Sequence, residues 1–296
     1  VLHKFLYVSS SSMRVSGGVE SFDAMMAFPE LPKINQGKKP DDGAVSFQNV
    51  SFSYSGDEKL ALSDVSFTAR AGEVTAIVGT SGGGKSTIAH LIPRFWDVSS
   101  GSICIGNVDI REMTERDLMR QVSFVFQDVY LFNQSIRDNI KIGFPEASDE
   151  DVVNAAKAAC CDEFITNLPD GYDTVLGEGG IHLSGGEAQR ISIARAIIRN
   201  TPVLVLDEAT AFADPENERL IQTALRRLME NRTVIIIAHR LGTIKDADNI
   251  LVMDKGKLVE SGTHQVLLQA GSLYSDMWMR YTQSLEWGIG KEIVIS

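Results

Sequence analysis

Cysteine is nearly absent from this sequence, with three residues in 296, at Cys104, Cys160 and Cys161. Neither that number nor that spacing builds a disulfide framework or a zinc site, so the three read as small apolar fillers in a reducing compartment. Long hydrophobic runs are also missing. The longest early one, Phe5 to Val8, is far short of a membrane span, and no secretory signal opens the chain, so the chain as it stands is expected to be soluble. A basic excess is lacking too: 28 Lys and Arg against 39 Asp and Glu leave a net charge of −11. No Lys/Arg cluster overrides it, which argues against nucleic acid and anionic lipid as partners. Internal repeats and low-complexity tracts do not occur. What is present, 44% hydrophobic residues, suffices for a substantial core in one large domain or two modest ones.

The patterning changes along the chain. From Val1 to Phe28 it is loosely helical, with Phe22, Met25 and Met26 at helical spacing, until Pro29, Pro32, Gly37 and Pro40 break it into a linker. Between Val45 and Arg70 the apolar residues recur with period two, which predicts short antiparallel strands. Five short apolar runs follow, Val74–Val78, Val122–Phe126, Val203–Leu206, Val234–Ala238 and Ile250–Met253, each of the kind expected for a strand buried on both faces. The first four lead directly into Gly79, Gln127, Asp207 with Glu208, and His239. Ligands of open α/β sheets sit at the carboxyl ends of the strands, so these four stretches are expected to converge on one site. The segment from about Asp128 to Ala194 reads as helical, with Ser148 and Asp151 in capping-box spacing. A turn at Lys255-Gly256 precedes a terminal helical region.

Gly79-Thr80-Ser81-Gly82-Gly83-Gly84-Lys85-Ser86, followed by Thr87, fits G-x-x-x-x-G-K-[ST] between an apolar run and Ile88, Leu91 and Ile92 at helical spacing. Glycines let the backbone curl so that successive amides point at a phosphate, with the positive end of the next helix beneath it. Lys85 would reach the β/γ-phosphates and Ser86 would ligate Mg²⁺. A plain glycine-rich turn is the bland alternative, and eight residues in register with the right flanks outweigh it. Asp207 and Glu208 end an apolar strand and resemble a Walker B strand, which implies an aspartate that binds Mg²⁺ through water and a second carboxylate that activates the attacking water; an acidic start to the loop Ala209-Thr210 is the bland alternative, and the phosphate loop already placed outweighs it.

A third element, Leu183-Ser184-Gly185-Gly186-Glu187 ahead of Ala188-Gln189-Arg190, resembles the LSGGQ signature of the ATP-binding-cassette (ABC) ATPases. With the phosphate loop before it and the carboxylate pair after it, the resemblance covers roughly Val45 to Thr263. It implies an α/β fold: a P-loop NTPase (RecA-like) core with a mostly parallel sheet, a small antiparallel β subdomain and an inserted α-helical subdomain at about 128–195. It also implies ATP and Mg²⁺ as cofactors and a second nucleotide-binding domain as partner. Ser184, Gly185, Gly186 and Glu187 would then face the γ-phosphate held by that partner. Carried over residue by residue, Tyr54 resembles the aromatic on which adenine stacks, Gln127 the glutamine that senses both Mg²⁺ and a membrane domain, His239 the switch histidine at the γ-phosphate, and Asp214 the D-loop aspartate acting across the dimer. Lys85, Gln127, Glu208 and His239 make up the catalytic set.

Two stretches, Leu131–Ile140 and Thr174–Gly180, resemble the exporter branch of the family. On that resemblance, residues 1–42 are the end of a membrane-domain helix and a linker, 43–268 the cassette and 269–296 a helical tail. The cassette would belong on the cytoplasmic face of a membrane, joined to a transmembrane domain on the same polypeptide, with no nucleic-acid partner. Glu187 departs from the usual signature glutamine and brings a carboxylate near the opposing nucleotide. Gly179 and Ala211-Phe212-Ala213-Asp214 also depart from the exporter pattern, as would suit one half of a heterodimer. A soluble ABC ATPase acting on DNA or ribosomes is the competing reading, but the interval from Gln127 to Ser184 is too short for a long coiled-coil arm. A binding-only regulatory cassette is another. Repulsion between two bodies of charge −11 predicts a monomer in nucleotide-free buffer, and a tight dimer in sedimentation would contradict it.

Overall fold

The computed structural model describes residues 31–54, 59–177, 180–207, 215–238 and 241–286. The chain divides into two compact units, Val1–Lys33 and Ile34–Ser296. The expected N-terminal helix lies outside the described residues. The sheets and helices belong to the second unit.

Ten strands form two sheets among the described residues. β1 (Val45–Phe52), β2 (Leu62–Ala69), β4 (Ser100–Ile105) and β5 (Val108–Asp109) make an antiparallel sheet in the order β2-β1-β4-β5. β3 (Val74–Gly79), β6 (Val122–Val125), β7 (Val203–Asp207), β8 (Thr233–Ile237), β9 (Asn249–Asp254) and β10 (Lys257–Gly262) make the second, in the order β10-β9-β3-β8-β7-β6. All pairs in it are parallel except β9 with β10. Each of the five apolar runs became a strand of this sheet within a residue or two of the expected bounds. β4, β5 and β10 were not anticipated: β10 alternates exposed and half-buried positions and presents no apolar run, so it is held by pairing with β9.

The helices are α1 (Lys85–Leu91), α2 (Glu115–Gln121), α3 (Ile136–Lys141), α4 (Asp149–Ala158), α5 (Asp162–Thr166), α6 (Gly185–Arg199), α7 (Pro215–Met229), α8 (His264–Ala270) and α9 (Leu273–Glu286). Helix α4 starts on the expected capping box, in which the Ser148 hydroxyl accepts from the Asp151 amide and the Asp151 carboxylate accepts from the Ser148 amide. Three apolar clusters fill the unit among the described residues. One joins the antiparallel sheet, with Phe47 stacked on Phe67, to Ile88 and Leu91 of α1, Ile92 at its C-cap and one face of the parallel sheet. A second packs α3 to α7 around Val125, Leu204, Leu206 and Val234. The third seats α8 and α9 on Ala76, Val78, Ile250 and Val252. Helices therefore cover both faces of the parallel sheet, leaving its carboxyl edge for loops. No helix among the described residues is long and apolar enough to cross a membrane.

The hairpin between β9 and β10 turns on Lys255 and Gly256, both at positive φ (47° and 77°), as a two-residue turn that follows the sheet twist requires. Its tip reaches the loop after β3: the Gly256 amide donates to the Gly83 carbonyl at 3.1 Å, and the Thr80 hydroxyl to Asp254 Oδ1 at 2.9 Å. Gly79 itself has φ +145°, and a Cβ there would lie 1.9 Å from the Met253 carbonyl oxygen. Gly79→Ala should therefore cost about 3 kcal/mol or more of stability through backbone strain and overlap, read as a lowered denaturation midpoint in urea.

Candidate functional site

The phosphate loop follows from its glycines. After β3 the chain takes positive φ at Gly79, Gly82 and Gly84, the last serving as the N-cap of α1 at φ 97°. Gly84 also lies against its neighbours, since a Cβ would meet Leu62 Cδ2 at 2.7 Å and the Ala61 carbonyl at 2.8 Å. The loop so formed folds Lys85 inward: the side chain is only 7% exposed, and its ammonium donates to the carbonyls of Gly79 at 3.0 Å and Thr80 at 2.9 Å.

Above the loop lies a cleft of about 760 Å³, lined by Gly79, Ser81 to Thr87, Tyr54, Ala238 and the hairpin residues Lys255 and Gly256. Its volume lies within the range of small-molecule and cofactor sites. Tyr54, just past the end of β1, is about half exposed and makes near-perpendicular ring contacts with Phe52 at 4.8 Å and Trp96 at 5.1 Å. Its hydroxyl donates to Thr87 Oγ1 at 3.1 Å, so the ring is fixed from both ends. Lys59 and Lys255, both exposed, add two ammonium groups to the lining. In a chain of charge −11 that is a local reversal of sign, suited to an anion.

The other expected residues are distributed as follows. Asp207 ends β7 in parallel register with Ile237 of β8, and β8 pairs with β3, so Asp207 stands two strands from the loop, about 10 Å at ordinary strand spacing. Gln127 is exposed two residues beyond the end of β6, on the same carboxyl edge. Ser86 is exposed on the first turn of α1. Thr80 belongs to the loop but turns away to Asp254. Ser184 to Glu187 begin α6 and do not line the cleft. Glu208, Asp214 and His239 lie outside the described residues, as does Gly179.

Helix α6 begins on a closed capping box. Glu187 Oε2 accepts from both the Ser184 amide and the Ser184 hydroxyl, each at 2.8 Å, and the Glu187 amide returns to Ser184 Oγ at 3.4 Å. The amides of Gly185 and Gly186 have no hydrogen-bond partner among the described residues. Gly186 is needed locally because a Cβ would lie 2.8 Å from the Asn217 side chain, whereas Gly185 has open space around it. Further along α6, Arg195 crosses to the loop beyond Gln127: it donates to the Asn139 carbonyl at 2.7 Å, to Asn139 Oδ1 at 2.5 Å and to the Tyr130 carbonyl at 2.6 Å, and lies over the Phe132 ring. Burial pushes its pKa down to about 10. Asn139 is fully buried, and its Nδ2, with two protons, lies within 3.0–3.2 Å of the carbonyls of Phe132, Gln134 and Ser135, so the segment that Arg195 joins to α6 is itself internally bonded.

Sequence reasoning missed Asp254, Gly256, Lys59 and Lys255. Asp254 is 174 residues from Thr80, and only the sheet order reveals that the β9–β10 turn sits beneath the phosphate loop.

The family model described as ABC transporter matches residues 62–211, about half of the chain. An ATP-dependent lipid A-core flippase of Chromobacterium violaceum is 45% identical over 277 residues, spanning 90% of this chain and 47% of the flippase. One of Syntrophus aciditrophicus is 47% identical over 265 residues, spanning 89% and 42%. A solved structure of a bacterial Atm1-family ABC exporter with ATP bound superposes with a TM-score of 0.80 at 42% identity, covering 90% of this chain and 47% of that one. The chain thus spans about half the length of the relatives it matches. A phosphate loop on the carboxyl edge of a mostly parallel sheet, a helix opening on Ser-Gly-Gly and the match across 62–211 agree: the chain belongs to the ABC transporter family.

Proposed function

We propose that this chain is the ATP-binding and ATP-hydrolysing cassette of an exporter-type transporter, and that it turns over only when a second cassette closes on it head to tail. The observation that carries this reading is the phosphate loop itself, with Lys85 folded under a cleft that offers a fixed aromatic ring at Tyr54 and exposed lysines around it. A nucleotide would lay its base on Tyr54 and its phosphates over the amides from Gly82 to Thr87, with Lys85 turning from the loop carbonyls toward the phosphate oxygens. Ser86, Asp207 and Gln127 are hard oxygen donors, too few for an all-protein cage, and that set fits a Mg²⁺ whose coordination is completed by phosphate and water. Such an ion would supply neutralisation of charge on the transferred phosphoryl group. Glu208 would take the proton of the attacking water and His239 would hold the γ-phosphate.

The two-cassette arrangement is supported by the signature. A Cβ at its Gly185 would meet nothing within 4 Å, its first amides are unused among the described residues, and it does not share the cleft with the phosphate loop. A helix start of that kind suits an anion presented by another molecule, and Asp214 would meet the same partner across the interface. The relatives are about twice as long as the match and are described as flippases and an exporter. That supports a membrane portion on the same polypeptide, with residues 1–42 as its last helix and linker, 43–268 as the cassette on the cytoplasmic side and 269–296 as a tail.

Glu208→Gln should abolish phosphate release while leaving ATP affinity within about twofold, because the carboxylate acts on water and not on the bound nucleotide. Unchanged turnover would remove Glu208 from the role of base. Tyr54→Ala should weaken ATP binding by roughly tenfold in a titration with a fluorescent nucleotide, while Tyr54→Phe keeps most of the affinity, since stacking needs the ring and not the hydroxyl. An equal loss in both would assign Tyr54 to holding Thr87 instead.

A further inference from the structure

Ser184 has one hydroxyl proton and one amide proton, and both point at a single carboxylate oxygen, Glu187 Oε2, at 2.8 Å. We propose that Glu187 is an internal stand-in for phosphate: in the free cassette it occupies the donors of the signature serine, and it thereby sets how much nucleotide on the opposing cassette is needed for closure. The inference rests on the head-to-tail reading above.

A hydroxyl carries a single proton and cannot donate it to two anions at once. For Ser184 to serve a γ-phosphate it must leave Glu187, and hydrogen bonds to a charged acceptor are roughly twice as strong as those between neutral groups. The carboxylate then remains beside the incoming anion, on a helix start where, among the described residues, the amides of Gly185 and Gly186 are still without a partner and the Glu187 amide is on Ser184 Oγ. Glutamine has the same length. Its oxygen can still accept from the Ser184 amide, but it is neutral, and its NH₂ can donate to Ser184 Oγ and leave the hydroxyl proton for the phosphate. Glu187 is thus a positioning residue that acts through Ser184: it stabilises the cassette alone through the cap and opposes the closed pair.

These two effects have opposite signs, which makes the idea testable. The full chain, Glu187→Gln and Glu187→Ala are compared in sedimentation while a non-hydrolysable ATP analogue and Mg²⁺ are titrated. In parallel, nucleotide-free thermal unfolding and analogue binding to the monomer are measured. The half-maximal analogue concentration for dimer formation should fall roughly five- to tenfold in Glu187→Gln, from the loss of one charged hydrogen bond and of the repulsion. Glu187→Ala should also dimerise more readily than the parent despite a lower unfolding temperature, and monomer binding should be the same in all three. If Glu187 is only a cap, both variants will unfold earlier and dimerise no better, and the inference falls while the head-to-tail reading stands. If all three bind the analogue and none dimerises, the head-to-tail reading fails and takes the inference with it.

Discussion

A side chain at position 79 would put its Cβ 1.9 Å from the Met253 carbonyl oxygen, so β3 can run against β9 to the edge of the sheet only with glycine there. That close approach brings the end of β9, and the turn after it, directly beneath the loop that follows β3. Thr80 then finds Asp254, Gly83 finds Gly256, and the Gly256 carbonyl in turn accepts from Ser63 of the antiparallel sheet. The phosphate loop is braced by a hairpin and tied through it to the second sheet. Its curl is therefore determined before any ligand arrives, which is what an anion site built from backbone amides requires.

Much of this was legible in the sequence, because the relevant signals are local. Buried parallel strands are continuous apolar runs, and Val74–Gly79, Val203–Asp207 and Thr233–Ile237 announced themselves as such. The phosphate loop and the Ser184 helix start are contiguous motifs whose flanks could be checked residue by residue. The bracing hairpin was not legible. Asp254 and Gly256 belong to a common turn, and nothing within ten residues of them says that the turn lies under a loop 174 positions away. β10 escaped for a related reason: a strand on the edge of the sheet with half its residues exposed carries no apolar run. Lys59 and Lys255 look like solvated surface charges until the fold gathers them at one cleft.

Helix α6 links two features that the sequence showed separately. Its first turn holds Ser184 and Glu187, and its third holds Arg195, whose guanidinium is buried against the carbonyls of Tyr130 and Asn139. A planar fork with several fixed acceptors resists sliding far better than an ammonium would. The segment from Tyr130 to Asn139 is thus fastened to the helix that opens on Ser184.

A body of net charge −11 should repel a polyanion, yet the cleft is lined with lysines at 59, 85 and 255. The signature start is arranged in the opposite way, with a carboxylate already on its serine. Attraction is thus concentrated where a nucleotide would be held within one chain, and resistance where a second chain would engage it. Had both surfaces been equally receptive, two such cassettes would meet any anion on either face. On the head-to-tail reading proposed above, an anion seated in the cleft of one chain would have to displace the Glu187–Ser184 pair of the other before the two could share it, so occupancy of the cleft would come before closure.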